Sequence, residues 1–476
     1  MKTLTFEQKQ KEIARWEKEK AKPKGPGYMA YFMLIISVIY LGDEIVSQIG
    51  GQMQSVIASV IFAPVVGSEF AIARMSAFSM LTMAAGGLAI IYRPLCDRFG
   101  RRPFLIINTL GMGVGTVLIS LATNIPVYLI GVCVTSFFTP HDMQAIYIQE
   151  CAPAKHRAKT YSVIKAIATM GMLLIPVLRS VFIPGTDLTN WRYVYLIPGI
   201  ITVAAAVLAF FCIRESDAFI DTRLRQLRMT DEEIAESKAK KQSADARGGL
   251  IKSLVYGLRN KQLRWLMIAH GFILFGSVVT SYYEAIMTNG YAQQFLAQGM
   301  DLESARAEAN VYVTQALMLF GVGSAIFQLF PGFLADALGR KKTAVIMTCT
   351  LLVSFLIFYF GSNNSFNPYI VGFFAGATVG TYWYTGDLMT LMLSESTPTN
   401  LRASMMSVQP IISGQIYTLS LILTTVLPNI FGDNAIGMVT LCTFVPGMTI
   451  GLILMAWKVK ETKGVDMGKV GTQELN

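Results

Sequence analysis

The stretch that decides the fold of this chain reads Asp97-Arg98-Phe99-Gly100-Arg101-Arg102, and it lies between two apolar segments. A similar stretch, Asp336-Ala337-Leu338-Gly339-Arg340-Lys341-Lys342, lies between two other apolar segments. The second copy follows the first after 239 residues, which is half of the 476-residue chain. Two charged turns in equivalent positions indicate a chain made of two similar halves.

Apolar segments dominate the composition. Hydrophobic residues make up 53% of the chain and charged residues only 15%, whereas soluble proteins carry about 25% charged residues. Segments of about 20 apolar residues match the length of a helix that crosses a bilayer. The sequence therefore predicts an all-α membrane protein with twelve transmembrane helices. They lie at 28–50, 73–95, 103–121, 126–149, 160–183, 192–213, 262–287, 310–334, 343–361, 367–393, 405–428 and 435–458.

The basic residues are unevenly placed along the chain. The net charge is +10, but Lys and Arg concentrate in both tails and in the connections after spans two, four, six, eight and ten. This asymmetry is the positive-inside pattern of membrane proteins. It predicts a multi-pass protein with both termini cytoplasmic, and basic clusters that contact membrane lipids and not nucleic acid. The N-terminal segment carries no cleavable signal pattern.

The longest polar stretch separates two groups of six spans. The predicted organisation is a cytoplasmic N-terminal tail at 1–27, a six-helix bundle at 28–213, cytoplasmic linker helices at 214–261, a second six-helix bundle at 262–458 and a cytoplasmic C-terminal tail at 459–476.

A second motif is also duplicated. Both copies read Glu-x-x-Pro-x-x-x-Arg, from Glu150 to Arg157 after span four and from Glu395 to Arg402 after span ten. Proline ends each helix, and a carboxylate and a guanidinium flank the break. The same spacing at the matching span of each half is a specific signal of the repeat.

These paired motifs resemble those of the major facilitator superfamily, and the resemblance covers all twelve spans. Within the superfamily the chain is most similar to the sugar-porter and metabolite–proton symporter branches. It lacks the Arg early in span four and the Gln pair in span seven that sugar porters usually carry. Shorter similarities are Leu41-Gly42-Asp43 in span one, Trp191-Arg192 before span six, Arg214-Glu215-Ser216 after it, and Lys460-Glu461-Thr462 after span twelve.

The resemblance implies two pseudo-symmetric six-helix bundles that work by alternating access, with spans one, four, seven and ten lining a central cavity. It also implies two cytoplasmic charged sets that lock the bundles together when the cavity faces outward. Partly hydrated ion pairs, worth about 0–1 kcal/mol each, can break and re-form in every cycle. The first charged set comprises Asp97, Arg101, Arg102, Glu150, Arg157 and Glu215, and the second comprises Asp336, Arg340, Glu395, Arg402 and Glu461.

Each of the four cavity spans carries an acidic residue, and ionisable groups inside spans are functional candidates because they are costly there. Asp142 and Asp387 each lie eight residues before the glutamate of the duplicated motif. This spacing is about 12 Å along a helix, which places both near the middle of the membrane. Span one carries Asp43 and Glu44, and span seven carries Glu284. We therefore predict a cavity that binds solute and protons at these acids.

Such carboxylates can take up and release a proton, or they can bind a cationic group of the solute. The alternative is that they pair with buried bases and hold helices together, with His141, Arg179 and His270 as candidate partners. A buried Arg stays charged, so Arg179 either pairs with an acid or meets a carboxylate of the solute. His141, next to Asp142, is a candidate for tuning the proton site or is a structural group.

Aromatic residues accompany the acids. Trp383 lies four residues before Asp387, on the same helical face, and Tyr283 directly precedes Glu284. Such rings suit a sugar by stacking or an amine by cation–π contact. Their alternative role is packing or anchoring at the membrane interface.

The remaining patterns exclude several function classes. The sequence has no phosphate-binding loop for ATP, no nucleophile elbow and no metal-ligand spacing, so we expect neither an enzyme nor a cofactor or metal. We predict a monomeric secondary active transporter of a small organic solute in the plasma (inner) membrane. Proton symport is the preferred mode, and antiport or uniport of an organic anion or cation is left open. The alternative from another class is a transporter-like nutrient sensor.

Overall fold

A computed structural model describes the chain at residues 6–22, 27–92, 95–139, 147–148, 150–151, 164–165, 167–185, 187–229, 233, 250–398 and 401–464. These residues are mostly helical, and no strand occurs among them. The main helices are α1 Phe6–Lys20, α2 Tyr28–Gln52, α3 Ala71–Tyr92, α4 Arg101–Ser120, α5 Ile125–Phe138, α6 Leu174–Phe182, α7 Trp191–Cys212, α8 Asp217–Arg228, α9 Leu250–Arg259, α10 Lys261–Ile273, α11 Gly276–Ala297, α12 Leu302–Leu329, α13 Pro331–Leu338, α14 Arg340–Asn363, α15 Pro368–Glu395, α16 Arg402–Phe431 and α17 Ile436–Lys458.

Many of these helices are long and apolar enough to cross a membrane. Within the described residues, eight stretches meet that requirement, and a ninth does so if the bent pair Gln54–Val66 and Ala71–Ser79 forms one span. The fourth and fifth predicted spans are represented by the shorter apolar helices Ile125–Phe138 and Ile167–Phe182. Parts of both predicted spans lie outside the described residues. The prediction of a multi-pass helical protein is therefore confirmed.

The chain divides into two compact units. The first contains Met1–Gln48, Ser79–Met172 and Arg192–Ser243, and the second contains Ile49–Phe78, Leu173–Trp191 and Ala244–Asn476. The second unit thus includes two short segments from the first half of the sequence. The predicted boundaries of the two six-helix bundles stay a prediction.

Side-chain caps fix where several helices begin. Asn124 accepts a hydrogen bond from the backbone N–H of Val127 at 3.0 Å at the start of α5, and Asn260 accepts one from Leu263 at 3.1 Å at the start of α10. A cap of this kind stabilises a helix by about 1 kcal/mol relative to Ala. Ser216 caps α8, Asp301 caps α12 and Asn367 caps α15.

Helices α12 and α15 approach closely because glycines line one face of α15. A Cβ on Gly376 would lie 1.9 Å from the carbonyl oxygen of Phe320, so a larger residue would push the helices apart. Glycines four residues apart share a helix face, and small residues allow close packing of membrane helices. Gly372 meets Ala316 and Gly380 meets Ser324 in the same way. This packing holds α15 firmly against α12.

We expect Gly376→Ala to destabilise the protein, since overpacking of this kind costs about 1–3 kcal/mol. Gly414→Ala is the matched control, because Gly414 also lies inside a helix and nothing lies within 4 Å of its Cβ position. Ala is favoured over Gly in a helix by about 1 kcal/mol. The melting temperature in detergent should fall for the first variant and stay level or rise for the second. Equal melting temperatures would contradict the packing argument.

Candidate functional site

Two adjacent acids of α2 are buried in the first unit. Asp43 is 1% exposed and Glu44 is 8% exposed. The preceding residue, Gly42, packs closely on Thr202 of α7, whose Oγ1 lies 3.0 Å from the Cβ position of the glycine. The structure therefore places both carboxylates inside the protein. The predicted partners in span four, His141 and Asp142, lie outside the described residues.

A buried ion pair joins Arg179 of α6 to Glu284 of α11. Nη1 of Arg179 lies 3.1 Å from Oε1 of Glu284, and both side chains are 0% exposed. Of the two roles considered for Arg179, the structure shows pairing with an acid. Removal of one partner from such a pair leaves an uncompensated buried charge, at a cost of about 3–5 kcal/mol.

Protein groups engage every nitrogen of the Arg179 guanidinium. Nη2 donates to Oδ1 of Asn310 at 2.6 Å, and Nε donates to Oγ1 of Thr314 at 3.2 Å. Nη1 also donates to the backbone carbonyl of Gln52. A buried charge needs such compensation, because burial removes the solvation that it has in water. The guanidinium is therefore held by the end of α2 and by α12 as well as by Glu284.

The second oxygen of the Glu284 carboxylate is also engaged. Oε2 accepts hydrogen bonds from the backbone N–H of Ser55 at 2.9 Å and from its hydroxyl at 2.6 Å. Ser55 lies in the short helix Gln54–Ile57, and its Oγ lies 3.0 Å from that of Thr288. We name Arg179, Glu284 and these hydrogen-bonding residues the buried network. It lies within the second unit and joins elements from both halves of the sequence.

A second polar contact in the same unit involves Asp433, which sequence reasoning missed. Its carboxylate accepts hydrogen bonds from the backbone N–H groups of Ile72 and Ala73, each at 2.9 Å, at the start of α3. Asn289 donates to the backbone carbonyl of Asp433 at 2.7 Å. An anion is favoured at a helix N-terminus, so Asp433 caps a helix that is distant in sequence. A single Asp in a polar connection carries no sequence signal for this role.

A cavity of about 650 Å³ lies beside these two contacts. Its polar lining includes Ser55, Thr288, Asn289, Asp301, Arg306, Asn310 and Asp433. The cavity therefore borders residues of the buried network.

The aromatic candidates differ in their surroundings. The ring of Tyr283 stacks on Phe320, with centroids 4.4 Å apart and planes 15° apart, and Tyr283 is 1% exposed. It therefore packs in the interior beside Glu284. Trp383 of α15 is half-buried, and Asp387 on the same helix is exposed. Trp383 and Asp387 are therefore accessible, whereas Tyr283 is buried.

In the first unit, the described members of the first charged set gather at the start of α4. Nε of Arg101 lies 3.1 Å from Oε1 of Glu150. Glu215 accepts hydrogen bonds from the backbone N–H groups of Arg101 at 3.0 Å and Arg102 at 3.2 Å, and so caps this helix. Arg157 and the side chain of Asp97 lie outside the described residues.

In the second unit, the second charged set gathers at the start of α14. Arg340 pairs with Asp336 at 2.9 Å and with Glu395 at 3.5 Å. Glu461 accepts hydrogen bonds from the backbone N–H groups of Arg340 at 2.7 Å and Lys341 at 3.2 Å. Arg402 donates to the carbonyls of Ser394 and Thr397. The same cap therefore occurs in both halves.

A glycine with positive φ precedes each capped helix. The φ angles are 111° at Gly100 and 101° at Gly339, a region that suits glycine alone. A Cβ would lie 2.2 Å from Oε2 of Glu215 at the first position and 2.4 Å from Oε2 of Glu461 at the second. The duplicated turn is therefore a duplicated device for bringing a carboxylate onto a helix N-terminus.

The two capping carboxylates differ in pKa. Burial raises the pKa of Glu215 above its usual value, although hydrogen bonds from backbone N–H groups oppose the rise. Partial burial also acts to raise the pKa of Glu461, but the N–H groups of Lys463, Arg340 and other residues outweigh it, and the pKa is lowered. Equivalent caps thus have different electrostatic surroundings.

The helices and the duplicated motifs define a multi-pass α-helical membrane protein with an internal repeat. Residues 28–414 match the model of the Major Facilitator Superfamily. The chain belongs to this family.

Solved structures support this assignment at the level of the fold. The inward-open xylose transporter XylE from E. coli is 18% identical, with a TM-score of 0.59, and the match covers 94% of this chain and 99% of that one. The nucleoside transporter NupG is 11% identical, with a TM-score of 0.62, and the match covers 90% of this chain and 100% of that one. The predicted class, twelve transmembrane helices in two six-helix bundles, is confirmed.

Curated relatives are transport proteins. The inner membrane metabolite transport protein YhjE of Escherichia coli is 24% identical over 69% of this chain and 73% of its own length. Member 10 of the facilitated glucose transporters of Danio rerio is 24% identical over 55% of this chain. The chain spans 49% of the length of that second relative. The chain is therefore a member of a transporter family, and the relatives that it matches are transporters and not enzymes.

The two capping glutamates should respond oppositely to pH. The ionised form of Glu461 stabilises the fold above the unfolded-state pKa of about 4.3, and this stability is lost as the pH falls through the lower folded-state pKa. The raised pKa of Glu215 means that stability is lost as the pH rises from about 4.3 through the folded-state value. Glu461→Gln should therefore melt below wild type at pH 7 and approach it at low pH. Glu215→Gln should match wild type at low pH, where Glu215 is protonated, and should melt above it at pH 7, where the wild type has lost this contribution. Parallel profiles would contradict the assignment.

Neutralising both members of the buried ion pair should cost less than the sum of the two single neutralisations. We expect Arg179→Gln and Glu284→Gln each to lower the free energy of unfolding by about 3–5 kcal/mol, because each leaves a buried charge alone. The double variant should lose less than the sum of the two, since no uncompensated charge remains. Denaturant unfolding in detergent measures all three. Strictly additive losses would contradict direct coupling of the two side chains.

Proposed function

We propose that this protein is a secondary active transporter that moves a small organic solute by alternating access, as a proton symporter. It works as a monomer in the plasma (inner) membrane, with both termini cytoplasmic. The observation that carries the proposal is the buried ion pair of Arg179 and Glu284, which joins elements from both halves of the sequence.

The buried network supports a two-state contact. Segments Ile49–Phe78 and Leu173–Trp191 come from the first half of the sequence, yet they belong to the second unit. Arg179 lies in the latter segment and Gln52 in the former. In an alternating-access cycle, the bonds that close one side of the protein in one state must break when that side opens. We assign the buried network to closure on the outer side.

Glu284 is the group through which a proton acts on this contact. Protonation from the outer aqueous phase places the proton on a carboxylate oxygen and cancels the charge that compensates Arg179. A buried Arg without a counter-charge is unstable, so the contact loosens and the outer side opens. Release of the proton to the cytoplasmic phase restores the pair. The proton gradient can thereby drive the cycle in one direction.

The other acids complete the proposed site. Asp387 lies exposed on α15 with Trp383 one turn away, which suits contact with the solute. Asp43, Glu44 and Asp142 are further candidates for proton or solute ligands, and Tyr283 is a candidate for positioning Glu284. The two charged sets close the cytoplasmic side when the cavity faces outward.

The hydrogen bonds that Arg179 already makes favour a neutral solute over an organic anion. Its Nε, Nη1 and Nη2 already donate to protein groups. A carboxylate would have to displace these partners of the guanidinium before it could bind there. The similarity to a xylose transporter and to a glucose transporter supports a hydroxylated solute.

Transport into proteoliposomes tests this function. D-xylose, D-glucose and succinate serve as probes, with an acidic exterior and an alkaline lumen. We expect the wild type to accumulate one of the sugars above its external concentration, and an uncoupler to abolish this accumulation. Arg179→Gln/Glu284→Gln should still exchange solute across the membrane but should no longer accumulate it, because the protonatable carboxylate is missing. Asp387→Asn should also lose accumulation.

Glu7→Gln is the matched control for these variants, since Glu7 is an exposed acid in the first turn of α1 and does not line the cavity. It should accumulate solute as the wild type does. Accumulation at the wild-type level by the double variant would remove Glu284 from the coupling mechanism. Wild-type protein that accumulates none of the probes would contradict proton-driven transport of this solute class.

A further inference from the structure

The polar cavity beside the buried network opens to the surface of the second unit. Its lining includes the exposed residues Ser59, Ser68 and Asp301 as well as the buried residues Ser55 and Thr288. In the predicted topology, the connections that contribute these residues face the outer aqueous phase. The cavity volume of about 650 Å³ is ample for water, since each molecule occupies about 30 Å³ in the liquid. Water from outside can therefore reach Ser55.

Ser55 lies between this cavity and the carboxylate of Glu284. The Glu284 side chain is 0% exposed, and Glu284 does not line the cavity. Ser55 does line it, and the Ser55 hydroxyl lies 2.6 Å from Oε2 of Glu284. A proton that enters through the cavity therefore meets the hydroxyl of Ser55 before it meets the carboxylate.

The Ser55 hydroxyl has two acceptors within reach, as a proton relay requires. Its oxygen lies 2.6 Å from Oε2 of Glu284 and 3.0 Å from Oγ1 of Thr288. The Thr288 hydroxyl donates to the backbone carbonyl of Glu284 at 2.9 Å, so its oxygen can accept from Ser55. A hydroxyl carries one hydrogen and two lone pairs. Ser55 can thus donate to the ionised carboxylate, or accept from the protonated carboxyl group while it donates to Thr288.

The charges along this route favour the entry of a proton. The ionisable residues in the cavity lining are three acids and one base, namely Asp301, Glu303, Asp433 and Arg306. A cleft with an excess of one charge raises the local concentration of the opposite ion. Beside Glu284 itself, Arg179 is the charged partner at 3.1 Å, and Tyr283 is the neighbouring titratable residue on α11. Neither of these two residues lines the cavity.

We propose that protons enter from outside through this cavity and that the Ser55 hydroxyl relays them to Glu284. This inference rests on the proposed function, in which Glu284 takes up the coupling proton. The Oγ–H bond of Ser55 breaks as its hydrogen passes to Oε2 of Glu284, and Oγ gains a hydrogen from a hydronium ion in the cavity. The products are a water molecule, an intact serine and a neutral carboxyl group.

The backbone of Ser55 holds the relay in place. Its N–H group donates to Oε2 of Glu284 at 2.9 Å, independently of the hydroxyl. The side chain can therefore be changed while this backbone contact is kept. Loss of the hydroxyl then interrupts the proton route without removing the serine backbone from the carboxylate.

The first test follows the proton on Glu284 by time-resolved infrared spectroscopy. After a drop in pH, the detergent-purified protein should gain the carbonyl band of a protonated carboxyl group. The variant Arg179→Gln/Glu284→Gln lacks this carboxyl group and so assigns the band. We expect the band to appear several-fold more slowly in Ser55→Ala than in the wild type, because proton transfer is accelerated by a positioned donor and acceptor.

Two further variants separate the relay from a structural effect. Ser55→Thr restores a hydroxyl at this position and should recover most of the wild-type rate. Ser420→Ala removes a buried hydroxyl that donates to the carbonyl of Tyr417 and does not line the cavity, and it should leave the rate unchanged. An unchanged rate in Ser55→Ala, or equal slowing in all three variants, would overturn the relay.

The second test closes the cavity and leaves Ser55 intact. Ser59→Cys places a thiol on the cavity wall, where a bulky, membrane-impermeant thiosulfonate reagent can attach from outside proteoliposomes. We expect the modified protein to protonate Glu284 several-fold more slowly than the same variant before modification. Wild type treated with the reagent is the control, because Cys349 and Cys442 are also exposed. The same rate before and after modification would overturn the cavity as the proton route.

The relay and the proposed function can fail separately. Protonation of Glu284 at the same rate with and without the Ser55 hydroxyl overturns the relay and leaves the coupling role of Glu284 standing. Relay through Ser55 without accumulation of any solute contradicts the proposed transport function and keeps the proton route. Absence of the Glu284 band at every pH contradicts both.

Discussion

A buried ion pair is the constraint on which the rest of this structure depends. Arg179 and Glu284 are both fully buried, and neither can stay charged there without close partners. The partners come from the end of α2, the short helix that follows it, and α12. These elements must therefore reach one point, which brings segments of the first half of the chain into the second unit. The pair thus determines which segments pack together, and this effect matters at least as much as its contribution to stability.

The second unit contains two kinds of helix contact, close packing at glycines and polar contacts. Between α12 and α15, glycine faces backbone carbonyl along three successive turns, which leaves no room for sliding. Around Arg179, Asn289 and Asp433, the contacts are hydrogen bonds and charges that can be exchanged for water. Packing of the first kind gives a rigid frame for Trp383 and Asp387. Contacts of the second kind suit a surface that must open and close.

The fold class could be read from the sequence because its signals are local: apolar length, charge placement and two repeated motifs. The buried acids were also visible, since a carboxylate in an apolar run is conspicuous. The choice of partner for Arg179 was not, because Glu284 and Asn310 lie more than 100 residues away. Asp433 lacked any local signal. Its role depends on the start of α3 at Ala71, which meets Asp433 only when the helices pack.

The caps on α4 and α14 have a consequence for the order of folding. Glu215 is synthesised 115 residues after Gly100, and Glu461 is synthesised 122 residues after Gly339. At about 5–20 residues per second, the N-terminus of α4 waits on the order of 6–20 s for its carboxylate. Each cap can form only after the sixth helix of its own half has left the ribosome. Each carboxylate therefore reaches its helix only after most of its own half of the chain has been synthesised.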